Sequence, residues 1–397
     1  MTRIRGKPLR IRCVRSDDLA VAANNSQHKE LSMLPNTNFV RTGRTLVLGA
    51  LLCGPLAAFA ADVALPPVSV GAGVRTSFTS TDIDGADEDV NDFNLNSARI
   101  YISGKATDYL SLMFNTEYNS DDEEIRVIDA VAQFSFSEQF NLWAGRFLPP
   151  SDRANLYGPY YANHWGVYTD GIQDGYPFET EGRDDGVMYW GQFGIAKVSA
   201  GVFDVQGLTK GDSDVLYAGR VQLDFWDAEA GYYLNGTYYG AKDLLAVGVA
   251  AQTASGDNAY SVDFLLEKKL GNAGVVTAEA QYAKYDGLGG YPSPVTTGAG
   301  AVPYDSSDGY YVLGAYLFPM QMGIGRLQVL GKYAKADFDF AALRDVEQTT
   351  TELNLNYIME EFNARASLFV IDVDMDPSSP FVRPDGTTIG LGLQIQI

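Results

Sequence analysis

From about residue 68 to the last residue, the chain is a train of short segments in which apolar and polar residues alternate, with turn residues between them and no helical period. The final segment is the clearest. Ile389, Leu391, Leu393, Ile395 and Ile397 fall on one side, and Gly390, Gly392, Gln394 and Gln396 on the other. In 196–202 the apolar side is Ala196, Val198, Ala200 and Val202, and the other is Lys197, Ser199 and Gly201. Side chains alternate across a strand, so each segment has one apolar face and one small or polar face. A soluble β-protein buries the apolar face in a dry core. A membrane barrel turns it to lipid and points the polar face into its lumen.

Sixteen segments are predicted, near 68–80, 95–106, 108–118, 124–136, 139–147, 185–193, 195–205, 214–226, 243–254, 258–270, 273–285, 308–318, 323–336, 347–359, 361–374 and 386–397. An even number puts both ends of the barrel on one side of the membrane. Short connections such as Thr107-Asp108, Ser137-Glu138 and Glu360-Glu361 suit periplasmic turns. Long acidic ones at 81–93, 119–123, 206–213, 286–307 and 375–385 suit extracellular loops. Residues 227–242, DAEAGYYLNGTYYGAK, break this rule. They are either a long periplasmic turn or a further hairpin, which would make eighteen strands.

The front of the chain points to export. Residues 45–59, TLVLGALLCGPLAAF, form an apolar run preceded by Arg41 and Arg44 and followed by the small-x-small site Ala58-Phe59-Ala60. Basic region, apolar region and small-residue site are the parts of a secretory signal. The run is too short for a membrane-crossing helix. Cleavage is expected between Ala60 and Ala61. Residues 1–32 fit no part of a signal, and Met33 would start one of ordinary length; 1–32 are then an upstream extension or a real N-terminal segment, 33–60 the signal, and 61–397 the barrel.

Composition sharpens this picture. Cys13 and Cys53 both lie in the leader, so 61–397 has no disulfide framework and no thiolate metal site. Nine of the 29 Lys/Arg and three of the 50 Asp/Glu lie in 1–60, so the remainder carries 20 basic and 47 acidic residues, a formal charge of −27. Such a charge argues against nucleic acid as a partner. No cofactor site is read. The acidic loop residues Asp82, Asp84, Asp87, Glu88 and Asp89 lack the spacing of a calcium loop and suit a solvated loop bridged to lipopolysaccharide by divalent ions. An exported, helix-poor chain with period-two alternation is an outer-membrane β-barrel, since a closed barrel pairs every backbone group in hydrocarbon.

The longest connection, 148–184, begins with Pro149-Pro150, which ends a strand because proline cannot donate to the ladder. Its aromatics, including Tyr157, Tyr160, Tyr161, Trp165 and Tyr168, argue for packing. It either folds into the barrel and narrows it or packs over the mouth. Residues 97–118 (SARIYISGKATDYLSLMFNTEY) and 145–154 (GRFLPPSDRA) resemble the phosphate- and polyphosphate-selective porins, the porin O and P family, and the likeness extends loosely over 61–397. The resemblance implies a trimeric sixteen-stranded diffusion pore with an inward third loop, a lumenal arginine ladder and a lysine-rich zone for phosphate. This chain departs from the family there, having few basic residues and setting Arg153 and Arg183 against Asp152, Asp170, Asp174, Glu179, Glu181, Asp184 and Asp185.

Alternation also predicts the lumen lining. Ala98, Ile100 and Ile102 face lipid, so Arg99, Ser103 and Lys105 face the pore. By the same phase Arg75, Lys197, Arg220, Arg326, Lys332 and Arg365 are lumenal, as are Glu117, Asp129, Asp224, Asp263, Glu279 and Glu352. Asp152 and Arg153 are expected at the narrowest point. Tyr118, Phe134, Phe136, Tyr282, Tyr311, Tyr333 and Tyr357 are expected in the aromatic girdles where strands meet headgroups. Barrel phospholipases and proteases need a histidine with Ser or Asp partners, and His164 lies alone of its kind in a loop crowded with tyrosines, so no catalytic residue is assigned. The barrel reading predicts a channel for passive diffusion of small hydrophilic solutes and ions; the resemblance implies phosphate or other anions, whereas the acidic excess points to a general pore with weak cation preference. The alternative is a non-conducting structural or adhesive barrel.

Overall fold

The computed structural model describes residues 67–119, 124–172, 182–204, 215–289 and 291–397. The leader, the expected start at Ala61, the loop at 206–213 and the acidic residues Asp174, Glu179 and Glu181 lie outside them. Among the described residues, sixteen antiparallel strands close into one barrel in sequence order, the first paired with the last. They are β1 (Val68–Ile83), β2 (Val90–Lys105), β3 (Leu110–Asn119), β4 (Glu124–Ser137), β5 (Phe140–Phe147), β6 (Asp184–Phe193), β7 (Ala196–Asp204), β8 (Val215–Asp224), β9 (Leu244–Ala254), β10 (Asp257–Lys269) and β11 (Val275–Asp286). A two-stranded hairpin, β12 (Thr296–Thr297) and β13 (Gly300–Ala301), sits in the next loop. The barrel resumes with β14 (Ser306–Met322), β15 (Gly325–Asp339), β16 (Val346–Glu360), β17 (Ala364–Asp376) and β18 (Gly386–Gln396). Residues 227–242 form no hairpin, so the sixteen-strand alternative holds.

Connections of two to four residues, such as Gly194-Ile195 and Gly323-Ile324, cluster at one end of the barrel, here the turn end. Both chain ends of the barrel lie there too, and Ile397 N donates to Ala72 O (2.9 Å). The opposite, loop end carries most of the long connections, and among the described residues one connection there is tight. Ser255 (φ 54°) and Gly256 (φ 95°) make a two-residue hairpin between β9 and β10, the left-handed pair of conformations that a tight antiparallel turn demands.

The outward rows are exposed and apolar. Ile389, Leu391, Leu393 and Ile395 are 53%, 60%, 39% and 47% exposed, values that in water would leave a continuous greasy surface and that fit a hydrocarbon surround. Aromatics ring the turn end, where Tyr109 stacks on Phe136 and Phe140 lies against Tyr189. Tyr310 pairs with Tyr333 on the same outward face. Tyr311 is a correction. It is fully buried inside the barrel, because β14 is apolar on both faces and its odd residues, Tyr311, Leu313, Ala315 and Leu317, point inward onto packed protein.

Leu391→Arg should lower the free energy of unfolding by about 2–4 kcal/mol, the cost of a cation on the lipid face near the midplane. Denaturant titration in lipid vesicles checks this, and an unchanged midpoint would place Leu391 away from lipid.

Candidate functional site: the barrel interior

The connection after β5 enters the barrel. Gly-Arg-Phe leads to Pro149-Pro150, which stop the ladder, and Asp152 then caps α1 (Arg153–Tyr161) by accepting from the Asn155 N–H at 2.9 Å. Gly158, at φ 60°, breaks the helix before Pro159 and turns the chain along the far wall. That wall receives it through polar side chains of the lumenal phase. Gln394 donates to Tyr160 O (2.9 Å) and Arg365 to Ala162 O (2.8 Å). Glu352 accepts from the Gly166 N–H (2.9 Å), and Gln348 donates to Thr169 O (2.8 Å). Glycines make the room. A Cβ on Gly392 would meet the Trp165 ring at 2.5 Å, and one on Gly73 would meet Tyr160 at 2.7 Å. The small side of the β18 alternation is thus a seat for an aromatic ring.

A second segment enters from the turn end. Asp227 and Asp243 close the base of the β8–β9 connection (Asp227 N to Asp243 O, 3.0 Å), and the residues between them fold into the lumen against the first segment. The Leu234 N–H donates to Leu156 O (3.3 Å) and the Gly236 N–H to Tyr161 O (2.9 Å). The Tyr232 hydroxyl donates to Leu148 O (2.9 Å). At the centre, the Arg153 guanidinium grips both oxygens of Glu229 at 2.9 and 2.5 Å and also donates to Asn235 O at 3.0 Å. Trp143, Phe147, Phe203, Tyr232 and Leu234 belong to one buried apolar cluster, so this part of the interior is packed protein. Burial alone would raise the Glu229 carboxyl, but the charge and hydrogen bonds of Arg153 outweigh it and hold it down at about 2.

These contacts correct part of the expected site. Asp152 and Arg153 lie on an inward segment but have no exposed surface, so they hold the segment in place and border no open space. Arg220 grips Asp263 (2.5 and 2.8 Å). Asp224 accepts from Gln222 (2.7 Å) and from the Glu229 N–H (3.2 Å). Lys197 is buried beside Glu229 and Asp224. Lys332 pairs with Asp170 (2.6 Å) and lies 3.1 Å from His164 Nε2, while Glu279 accepts from Tyr157 and Tyr311. All have the lumenal phase that alternation predicts, but they are locked into protein. Lys105 is exposed at the turn-end rim, and Arg326 is half-buried near the same rim.

Open space remains along the β1–β4 wall. A cavity of about 420 Å³ lies on the loop-end side of α1, lined by Arg75, Ser77, Arg99, Glu117, Trp165 and Phe369 among others. A second of about 450 Å³ lies on the turn-end side, lined by Arg99, Tyr101, Asp129, Arg183, Tyr233 and Asn235 among others. Arg99 belongs to both. It is bound to Glu117 and lies 5.1 Å from the Tyr160 ring, while Arg75 lies 4.3 Å over the Trp165 ring and Arg183 is 3.4 Å from Asp129. Sequence reasoning missed Glu229, Tyr233 and Asn235. Their signal was a turn too long, too aromatic and too irregular to be a turn.

No protein-family model matches this chain, and no curated protein matches it. Solved structures do. OprB of Pseudomonas putida has a TM-score of 0.56 at 9% identity over 83% of this chain and 94% of that one. OmpF of Salmonella typhi, in complex with daunomycin, has 0.55 at 15% identity over 84% and 98%. The anion-selective porin of Comamonas acidovorans has 0.52 at 15% identity over 84% and 100%. At these identities the likeness is one of fold, that of the sixteen-stranded porin barrels.

Because the folded Glu229 carboxyl lies below its ordinary value of 4.5, it stabilises the fold above that pH and ceases to as pH falls toward about 2. Unfolding free energy of the wild type should therefore drop more steeply from pH 6 to pH 3 than that of Glu229→Gln. Parallel curves would show that the carboxylate is not held by Arg153.

Proposed function

We propose that this chain is an outer-membrane porin, a passive channel for small hydrophilic solutes and ions, exported by a leader cut after Ala60. The observation that carries this reading is the pair of cavities meeting at Arg99 inside a closed barrel whose outer rows are apolar. A homotrimer embedded in lipid and lipopolysaccharide belongs to the same proposal and rests on the family resemblance.

The charges beside the open space favour anions, against the expectation from composition. Arg75, Arg99 and Arg183 line the two cavities, with Glu117 paired to Arg99 and Asp129 to Arg183, an excess of one positive charge. Asp152, Glu229, Asp263, Glu279 and Glu352 are held by hydrogen bonds inside the packed part. The acids of the outer loops are screened beyond about 10 Å at 0.1 M salt. Ions respond to the field of the charges lining the narrow path. Chloride and small oxyanions, phosphate among them, are the preferred solutes. The Arg99–Glu117 pair between the cavities favours a second reading, a closed barrel with a structural or adhesive role.

In planar bilayers under a KCl gradient, the reversal potential should show chloride preferred over potassium, and Arg99→Gln should move it toward zero. A potassium preference would overturn the anion assignment, and a complete absence of channels would favour the closed barrel.

A further inference from the structure

We infer that residues 229–241, the middle of the β8–β9 connection, are a second constriction segment that enters the pore from the periplasmic end and sets its size limit together with the third loop. This inference rests on the porin reading and deepens it. Four observations carry it. First, the strands need no such length here: Asp227 and Asp243 already close the ladder, and Gly194-Ile195 and Gly323-Ile324 join neighbouring strands with two residues. Second, alternate residues of the segment are buried rather than draped outside, with Glu229, Tyr232, Leu234 and Thr237 no more than 3% exposed. Third, it bonds the third loop at both ends of α1, through Glu229 and Asn235 O to Arg153 and through the Gly236 N–H to Tyr161 O. Fourth, Tyr233, Leu234 and Asn235 form part of the wall of the turn-end cavity, whose lining also includes Tyr101 and Asp129.

A buried ion pair adds little net stability but strongly disfavours any arrangement that separates its members. Arg153–Glu229 therefore fixes the position of one inward segment against the other. Together they fill the lumen from β5 round to β18 and leave the two cavities along β1–β4. Glu229 is a positioning residue, whereas Tyr233 and Asn235 border the solute.

Two variants test this in the full chain. Replacing 228–242 with Asn-Gly leaves an ordinary tight hairpin between Asp227 and Asp243. Its single-channel conductance should rise at least twofold, and liposomes bearing it should admit larger oligosaccharides than the wild type does. Asn235→Cys needs no large rearrangement, and the chain has no cysteine beyond Cys53. Complete modification by an anionic methanethiosulfonate reagent, confirmed by mass, should cut the current by half or more. If the hairpin variant does not fold, the cysteine variant decides alone. Wild-type current that neither change alters overturns this inference and leaves the porin reading standing. A wild type without current, opened by the hairpin variant, overturns the open-pore reading and supports the inward segment as a plug.

Discussion

In hydrocarbon, every backbone N–H and C=O must find a partner within the protein, and the rest of this structure follows from how that constraint is met. Sixteen strands meet it by closing on themselves. Closure at this strand number makes a bore wider than strand side chains can fill. The interior must then hold either water or more chain. Here it holds both: chain packed against β5–β11 and β14–β18, and open space along β1–β4 that reaches Phe369 of β17.

The chain that enters brings polar backbone with it, and the lumenal side chains exist in large part to satisfy that backbone. Gln394, Arg365 and Gln348 each donate to a third-loop carbonyl, and Glu352 accepts two of its N–H groups. The same residues would read as a water-facing lining in an empty pore. Charges in the packed part are consumed in pairs, Arg153 with Glu229 and Arg220 with Asp263, which separates net charge from selectivity. The formal excess of acid says little about the field at Arg99, where Arg75, Glu117 and the aromatic faces of Tyr160 and Trp165 gather.

Much of the barrel was legible because alternation is a local signal. The outward row Ile389–Ile395 and the inward phase of Lys197, Arg220 and Arg365 follow from parity within a single strand. The third loop was legible through Pro149-Pro150 and its aromatics. Three things were not. The phase of Tyr311 was lost because Tyr310, Tyr311, Val312 and Leu313 are all apolar, so parity carries no sign. The buried role of Arg153 depends on Glu229, 76 residues away, and no local pattern encodes such a pairing. The 229–241 segment lacks any period, and its packing surface appears only once the closed barrel confines it.

The central claim is that the two inward segments form one packed body inside the barrel. Hydrogen–deuterium exchange on the detergent-solubilised protein tests it most directly, at the Leu234 and Gly236 amides that bond Leu156 O and Tyr161 O. Packing predicts protection comparable to that of the β8 and β9 amides flanking the segment. Exchange of both amides within seconds, while the strands stay protected, would contradict it.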